Sequence, residues 1–190
     1  MTPFSFTELF QKYSDFTDKE TVHFYGIWYD RWCSKMDRVD RILELGCDCF
    51  GGGGLMALAE KYPEASVVGV DIGFACSREN LQPYQNVSLH EGDVYDDRTV
   101  TAFCKTHPET FDLIIDDCLH TAEEQVKAFR LWSPRLASGG LYIIEDVTDL
   151  SELSKTLARW SIGWNVTIGE SREVFPSASV ESTLLCLKRF

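Results

Sequence analysis

RILELGCDCFGGGGLMALAEKY (residues 41–62) changes character twice. RILEL (41–45) is a short apolar run that reads as a buried strand. GCDCFGGGG (46–54) is a glycine-rich turn. GLMALAEKY (54–62) carries apolar residues at helical spacing. A strand running through glycines into a helix is a ligand cradle, because glycine lets the backbone turn sharply and approach a bound molecule closely.

The same alternation continues along the chain. SVVGV (66–70), VSLH (87–90), FDLIID (111–116) and LYIIE (141–145) read as strands. RTVTAFCKTH (98–107) and TAEEQVKAFRLWSPRL (121–136) read as helices. The second opens with Thr121 and carries Glu124 three residues on, the signature of a capping box, and Pro134 is expected to break its last turn. Strands and helices in alternation predict an α/β fold with a largely parallel sheet. The strands are near-continuous apolar runs, as expected when helices cover both faces. LSELSKTLARW (150–160) reads as one more helix. WNVTIGE (164–170) and STLLCLKRF (182–190) read as two late strands, joined by the loop SREVFPSAS (171–179). Residues 1–39 form a helical extension or lid rich in aromatics, and 40–190 form one domain. In the extension, Phe24, Tyr25, Trp28, Tyr29 and Trp32 recur at helical spacing. Such a stripe suits core packing, a subunit interface or a lid.

Composition narrows the function. The chain has 190 residues, 44% apolar and 25% charged, and a net charge of −12. That charge repels phosphate backbones and anionic lipid, so neither nucleic acid nor membrane is expected, and a neutral or cationic small ligand fits better. No apolar stretch is long enough for a membrane span. The first residues lack a signal-peptide pattern, and the seven cysteines read as reduced thiols, so a cytoplasmic location is expected. Cys47 and Cys49 lack the second ligand pair that zinc would need.

Acids recur where strands end. Asp71 follows the second strand and suits the two hydroxyls of a ribose. Asp93 follows the third and could accept from an exocyclic amine. Ligands in open α/β sheets bind at these carboxyl ends. The glycine spacing fails the dinucleotide fingerprint G-x-G-x-x-G. Asp48 in the turn would also repel a pyrophosphate, yet it tolerates a positive centre such as a sulfonium.

These features resemble the class I S-adenosylmethionine-dependent methyltransferases. ELGCDCFGGGG (44–54), VVGVDIG (67–73) and HEGDVYD (90–96) are similar to that family's first three motifs. The resemblance implies a Rossmann-like three-layer sandwich. Its seven-stranded sheet is mostly parallel with the last strand antiparallel, and S-adenosylmethionine is the cofactor. It implies cofactor contacts at Glu44, Gly46, Asp48, Gly51, Asp71, Ile72, Asp93, Val94, Asp116 and Tyr25. DDCLHTAEEQVKAF (116–129) and LASGGLYIIEDV (136–147) further resemble the macrocin and demethylmacrocin O-methyltransferases, which bind Mg²⁺. SDFTDKETVHFYGIWYD (14–30) is similar to that group's N-terminal stretch, with Thr17, Asp18, Lys19 and Tyr25 in place. Cys118, Leu119 and Glu20 depart from its pattern.

If the fourth and fifth strands are neighbours, carboxylates at both tips meet. Crowded carboxylates repel unless a cation joins them, and a hard, oxygen-loving ion such as Mg²⁺ suits them. The expected ligands are Asp117, Glu145 and Asp146, with Asp116 as the substitute. Asp116 and Asp117 point to opposite sides if the strand persists. Alternatively, these acids cap a helix or are solvated strand ends. Asp117 and His120 are the candidate catalytic pair, with His120 as general base at neutral pH. The expected activity is O-methylation of a hydroxylated small molecule, a sugar or polyketide-type product. The alternatives are metal-independent N- or C-methylation, or a non-catalytic S-adenosylmethionine-binding partner. With no inserted substrate domain, either the extension or a second subunit must close the site, so a homo-oligomer is expected.

Overall fold

A computed structural model describes residues 4–179 and 181–190. The elements follow in the order α1 (Phe6–Lys12), α2 (Gly26–Cys33), β1 (Arg41–Leu45), α3 (Gly53–Lys61), β2 (Ser66–Asp71), α4 (Arg78–Leu81), β3 (Val87–Glu91), α5 (Asp97–Thr106), β4 (Phe111–Asp116), α6 (Ala122–Trp132), β5 (Leu136–Ile144), α7 (Leu150–Leu157), β6 (Trp164–Glu170), α8 (Ser171–Val174) and β7 (Thr183–Arg189). The strands form one seven-stranded sheet in the order β3-β2-β1-β4-β5-β7-β6. β1 to β5 are parallel, and β7 runs antiparallel between β5 and β6. The order reverses between β1 and β4, which opens a crevice at their carboxyl ends.

The sheet separates two cores. Ile42, Val67, Leu113, Ile115, Leu141 and Ile143 face α1, α2 and α3. Their chain neighbours Leu43, Val68, Ile114, Tyr142 and Ile144 face Phe103 of α5, Phe129 and Trp132 of α6, and Leu153 of α7. Strand side chains alternate sides, so each covered strand must be apolar at every position. This three-layer arrangement is the sandwich expected from sequence. No helix among the described residues is long and apolar enough to cross a membrane.

The N-terminal aromatics are core. Tyr25, Trp28, Tyr29 and Trp32 are buried with Phe6 and Phe10 in the same cluster as Leu55 of α3. Phe24 is half-buried and stacks on Phe175, with ring centroids 4.8 Å apart. The segment between α1 and α2 lies on the glycine-rich turn: Gly53 N–H donates to Phe16 O at 2.8 Å.

Several boundaries differ from expectation, and α7 ends at Leu157 rather than 160. β5 begins at Leu136 rather than 141, because Leu136 pairs with Phe111 across an irregularity in register. Residues 171–179 are not all loop, since their first four form the single turn α8. α6 ends at Trp132, and a 3₁₀ turn over Ser133–Arg135 takes up Pro134. Thr121 caps α6 as its sequence suggests, accepting from Glu124 N–H.

Candidate active site

β1 ends in a turn fixed on both sides. Gly46 N–H donates to Val70 O of β2 at 2.9 Å. Gly46 has φ +76°, and a Cβ there would lie 2.4 Å from Asp117 O beyond β4. Only glycine fits both the conformation and the contact. The turn thereby ties together the tips of the three central strands.

Strand parity decides which acids enter the crevice. Glu44, Asp117 and Glu145 fall on the side of α1–α3, and Asp116 falls on the other. Asp116 is 1% exposed, its Oδ2 lies 3.4 Å from the Tyr142 hydroxyl, and its Oδ1 has no partner among the described residues. Burial pushes its carboxyl up to about 7. The three acids on the near side surround Lys19. Its ammonium lies 2.7 Å from Asp117 Oδ2 and 3.6 Å from Glu44 Oε1, and it hydrogen-bonds Glu145. The Tyr29 hydroxyl also donates to Glu145.

Asp146 joins the group from a backbone conformation rare for a non-glycine residue, with φ +50°. The Tyr25 hydroxyl donates to its Oδ1, and His23 Nδ1 lies 3.2 Å from the same atom. His120 Nε2 stands between two acids, 3.7 Å from Asp117 Oδ1 and 3.6 Å from Asp146 Oδ2. Asp117, His120 and Asp146 each offer one ligand atom, and the three atoms lie within 4.8 Å of one another.

The charges perturb each other. The nearby Asp117 carboxylate raises the His120 imidazole against burial, with help from Asp146. Burial opposes ionisation of Asp117, but the Lys19 ammonium, with His120 nearby, holds its carboxyl below the usual range. Burial, reinforced by repulsion from Asp117, raises Asp146. Burial also raises Glu145 and Glu44, the latter to about 7, even with Lys19 beside them. One ammonium is too little positive charge for three carboxylates, two of them buried.

The residues expected at the site fall in different places. Glu44, Gly46, Asp117, His120 and Asp146 line one cavity, roofed by Phe16–Lys19. Asp48, Asp71 and Asp93 brace loops at the neighbouring tips. Asp48 accepts from Ser77 N–H at 2.8 Å, Asp71 Oδ2 from Asp48 N–H at 2.9 Å, and Asp93 Oδ1 from Tyr95 N–H at 2.8 Å. Ile72, 75% exposed, stands free beside Asp71. Gly51, with φ +104°, belongs to the turn before α3. Val94 is buried in the far core and Tyr25 sits on Asp146, so neither reaches the cavity as a free group. Lys19, Tyr29 and His23 were not among the site residues drawn from sequence. Their only sequence signal is the TDKETVHFYGIWY stretch that bears the N-terminal resemblance.

The family described as "Methyltransferase domain" matches residues 37–178. The chain belongs to this family. This methyltransferase domain is 31% identical, over 112 residues, to the 8-demethyl-8-(2-methoxy-alpha-L-rhamnosyl)-tetracenomycin-C 3'-O-methyltransferase of Streptomyces olivaceus, covering 56% of this chain and 27% of that one. It is 28% identical, over 133 residues, to the demethylmacrocin O-methyltransferase of Streptomyces fradiae, covering 67% and 32%. The domain thus spans about a third or less of the curated relatives it matches. Its fold is that of the methyltransferase MycE from the mycinamycin biosynthetic pathway, solved in complex with Mg and SAH. The two share 21% identity and a TM-score of 0.73 over 99% of this chain and 55% of that one. The resemblance to class I methyltransferases, and to the macrocin group within them, therefore stands.

Proposed function

We propose that the chain is the catalytic domain of an S-adenosylmethionine-dependent O-methyltransferase. Its acceptor is a hydroxyl of a small molecule, a sugar on a polyketide-type product, and a divalent ion assists. One observation carries this reading: Asp117, His120 and Asp146 converge within 4.8 Å beside the cavity under the glycine turn. The sugar acceptor is supported by the relatives, whose names describe O-methylation of rhamnosyl and olivosyl groups.

The residues fit both groups. Asp117 and Asp146 offer hard oxygen ligands to a cation such as Mg²⁺. Glu145 can join them only by yielding Lys19 or Tyr29. Glu44 Oε2 is buried without a partner among the described residues and lines the cavity, ready for an ammonium group of the cofactor. Asp71 and Ile72, at the next tip, would meet a ribose and an adenine.

When bound, the ion lowers the pKa of an acceptor hydroxyl. His120 Nε2 takes the proton. Asp117 and Asp146 orient the imidazole, and His120 must be neutral before it can take a proton. S-adenosylmethionine supplies the methyl group, and the cavity holds it in line with the acceptor oxygen.

A second reading has one observation in its favour. Lys19 already supplies a cation to the acids, which would suit a metal-independent transferase. Release of S-adenosylhomocysteine from S-adenosylmethionine in the presence of rhamnosylated and olivosylated acceptors, followed with Mg²⁺ and after chelation, separates the two. Activity that survives chelation removes the metal, and failure to bind S-adenosylhomocysteine removes the whole reading. The seven cysteines are free thiols, which suits action in the reducing cytoplasm. A second subunit is proposed to close the open side of the crevice, and light scattering of the purified chain tests it.

A further inference from the structure

The strand-tip acids meet a cation that the chain itself supplies. Lys19 lies between α1 and α2 and is 4% exposed. Its ammonium reaches Glu44 from β1, Asp117 from the tip of β4 and Glu145 from the tip of β5. The segment that carries it is anchored by other bonds. Tyr25 N–H donates to Lys19 O at 2.7 Å, and Gly53 N–H donates to Phe16 O at 2.8 Å. Gly54 leaves room for the side chain, since a Cβ there would meet Lys19 Cε at 3.0 Å.

Desolvating an ammonium is costly and is offset only by well-placed carboxylates. Here the carboxylates outnumber it, so negative charge is left over. Asp117 divides its two oxygens: Oδ2 faces Lys19, and Oδ1 faces His120, with Asp146 beyond. A divalent ion held by Asp117 and Asp146 would thus share a carboxylate with the ammonium and be repelled by it. We propose that Lys19 is a resident counter-ion that competes with a divalent cation for these carboxylates. It holds the acids in place when no ion is bound, and it weakens ion binding. This rests on the metal-assisted reading above.

The test compares wild type, Lys19→Met and Lys19→Arg by calorimetric titration with Mg²⁺ and by thermal unfolding with Mg²⁺ or chelator. Methionine keeps most of the volume and removes the charge. Lys19→Met is expected to bind Mg²⁺ roughly tenfold tighter or more, because a like charge a few ångströms away has gone. It is expected to melt below wild type in chelator and to recover in Mg²⁺. If it folds only in Mg²⁺ and unfolds on chelation, the proposal is supported in its strongest form. Lys19→Arg keeps the charge and should stay within about threefold of wild type in affinity.

Wild type that takes up no Mg²⁺ overturns the metal reading and this inference together. Wild type that binds Mg²⁺, with Lys19→Met binding no tighter, overturns the inference alone. A Lys19→Met protein that stays unfolded in Mg²⁺ also overturns it, because the ion then cannot replace the lysine.

Discussion

Replacing Gly46 with alanine should loosen the joint between the glycine turn and the acidic tip of β4. Gly46 has φ +76°, where an L-residue is strained by about 1–2 kcal/mol. Its Cβ would also lie 2.4 Å from Asp117 O, 2.8 Å from Asp117 C and 2.8 Å from Cys118 Cα. All three atoms are backbone, so no side chain can swing away, and overpacking of this kind costs about 1–3 kcal/mol. Stiffening the unfolded chain returns about 0.4–1 kcal/mol. The net loss is about 1–5 kcal/mol, equivalent to a Tm lower by about 2–20 °C in a domain of this size. Two glycines separate the contributions. Gly139→Ala has the positive φ, +79°, with nothing within 4 Å, and should cost only about 1 kcal/mol. Gly73→Ala has neither feature and should be near neutral. Urea unfolding followed by tryptophan fluorescence ranks the three. If Gly46→Ala is no less stable than Gly139→Ala, the contact with the Asp117 backbone does not limit this position and the reasoning fails.

Asp116 has a folded value of about 7 against an ordinary 3.8. Between those pH values the folded chain holds a proton that the unfolded chain has released, so this group's contribution to stability is lost as pH rises from about 4 to about 7. Asp116→Asn should flatten that fall, gaining on the order of 2–4 kcal/mol over wild type between pH 4 and pH 8; parallel slopes in urea melts at the two pH values would contradict this. Thr121→Ala removes the cap of α6 just after His120 and should cost about 1 kcal/mol, while Thr121→Ser should cost little. His120→Ala should lower kcat by about 10²–10⁴-fold with S-adenosylhomocysteine affinity retained. Unchanged turnover at saturating Mg²⁺ would remove it as the base.

Much of the fold was legible because its determinants are local. RILEL, FDLIID and WNVTIGE coincide with β1, β4 and β6. β5 was not fully legible, since LASGG looks like a turn in isolation and becomes strand only through its pairing with β4. The site divides the same way. Acids at strand tips are visible in sequence, as is the histidine before a capped helix. The partners of those acids are not, because Lys19 lies 98 residues from Asp117 and 126 from Glu145. Only the packing of α1 and α2 over α3 brings them together.

Alternation of side chains accounts for most of the site, and one strained residue completes it. In β1, Leu43 faces α5–α7, which sends Glu44 to the side of α1–α3. In β4, Ile115 faces α1–α3, which turns Asp116 away to Tyr142 and brings Asp117 to Lys19. In β5, Ile143 faces α1–α3, which returns Glu145 to Lys19 and Tyr29. The same rule would send Asp146 to the opposite face. Instead its φ of +50° turns it towards Tyr25 and His23. Tyr25 and Tyr29 are four residues apart, as neighbours on one helix face are, and their hydroxyls take the consecutive acids Asp146 and Glu145. The strain at Asp146, of order 1–3 kcal/mol, is what puts two adjacent carboxylates on one side of the sheet. It also puts Asp146 within reach of His120. Folding energy has been spent at the residue where a cation and a base would have to meet.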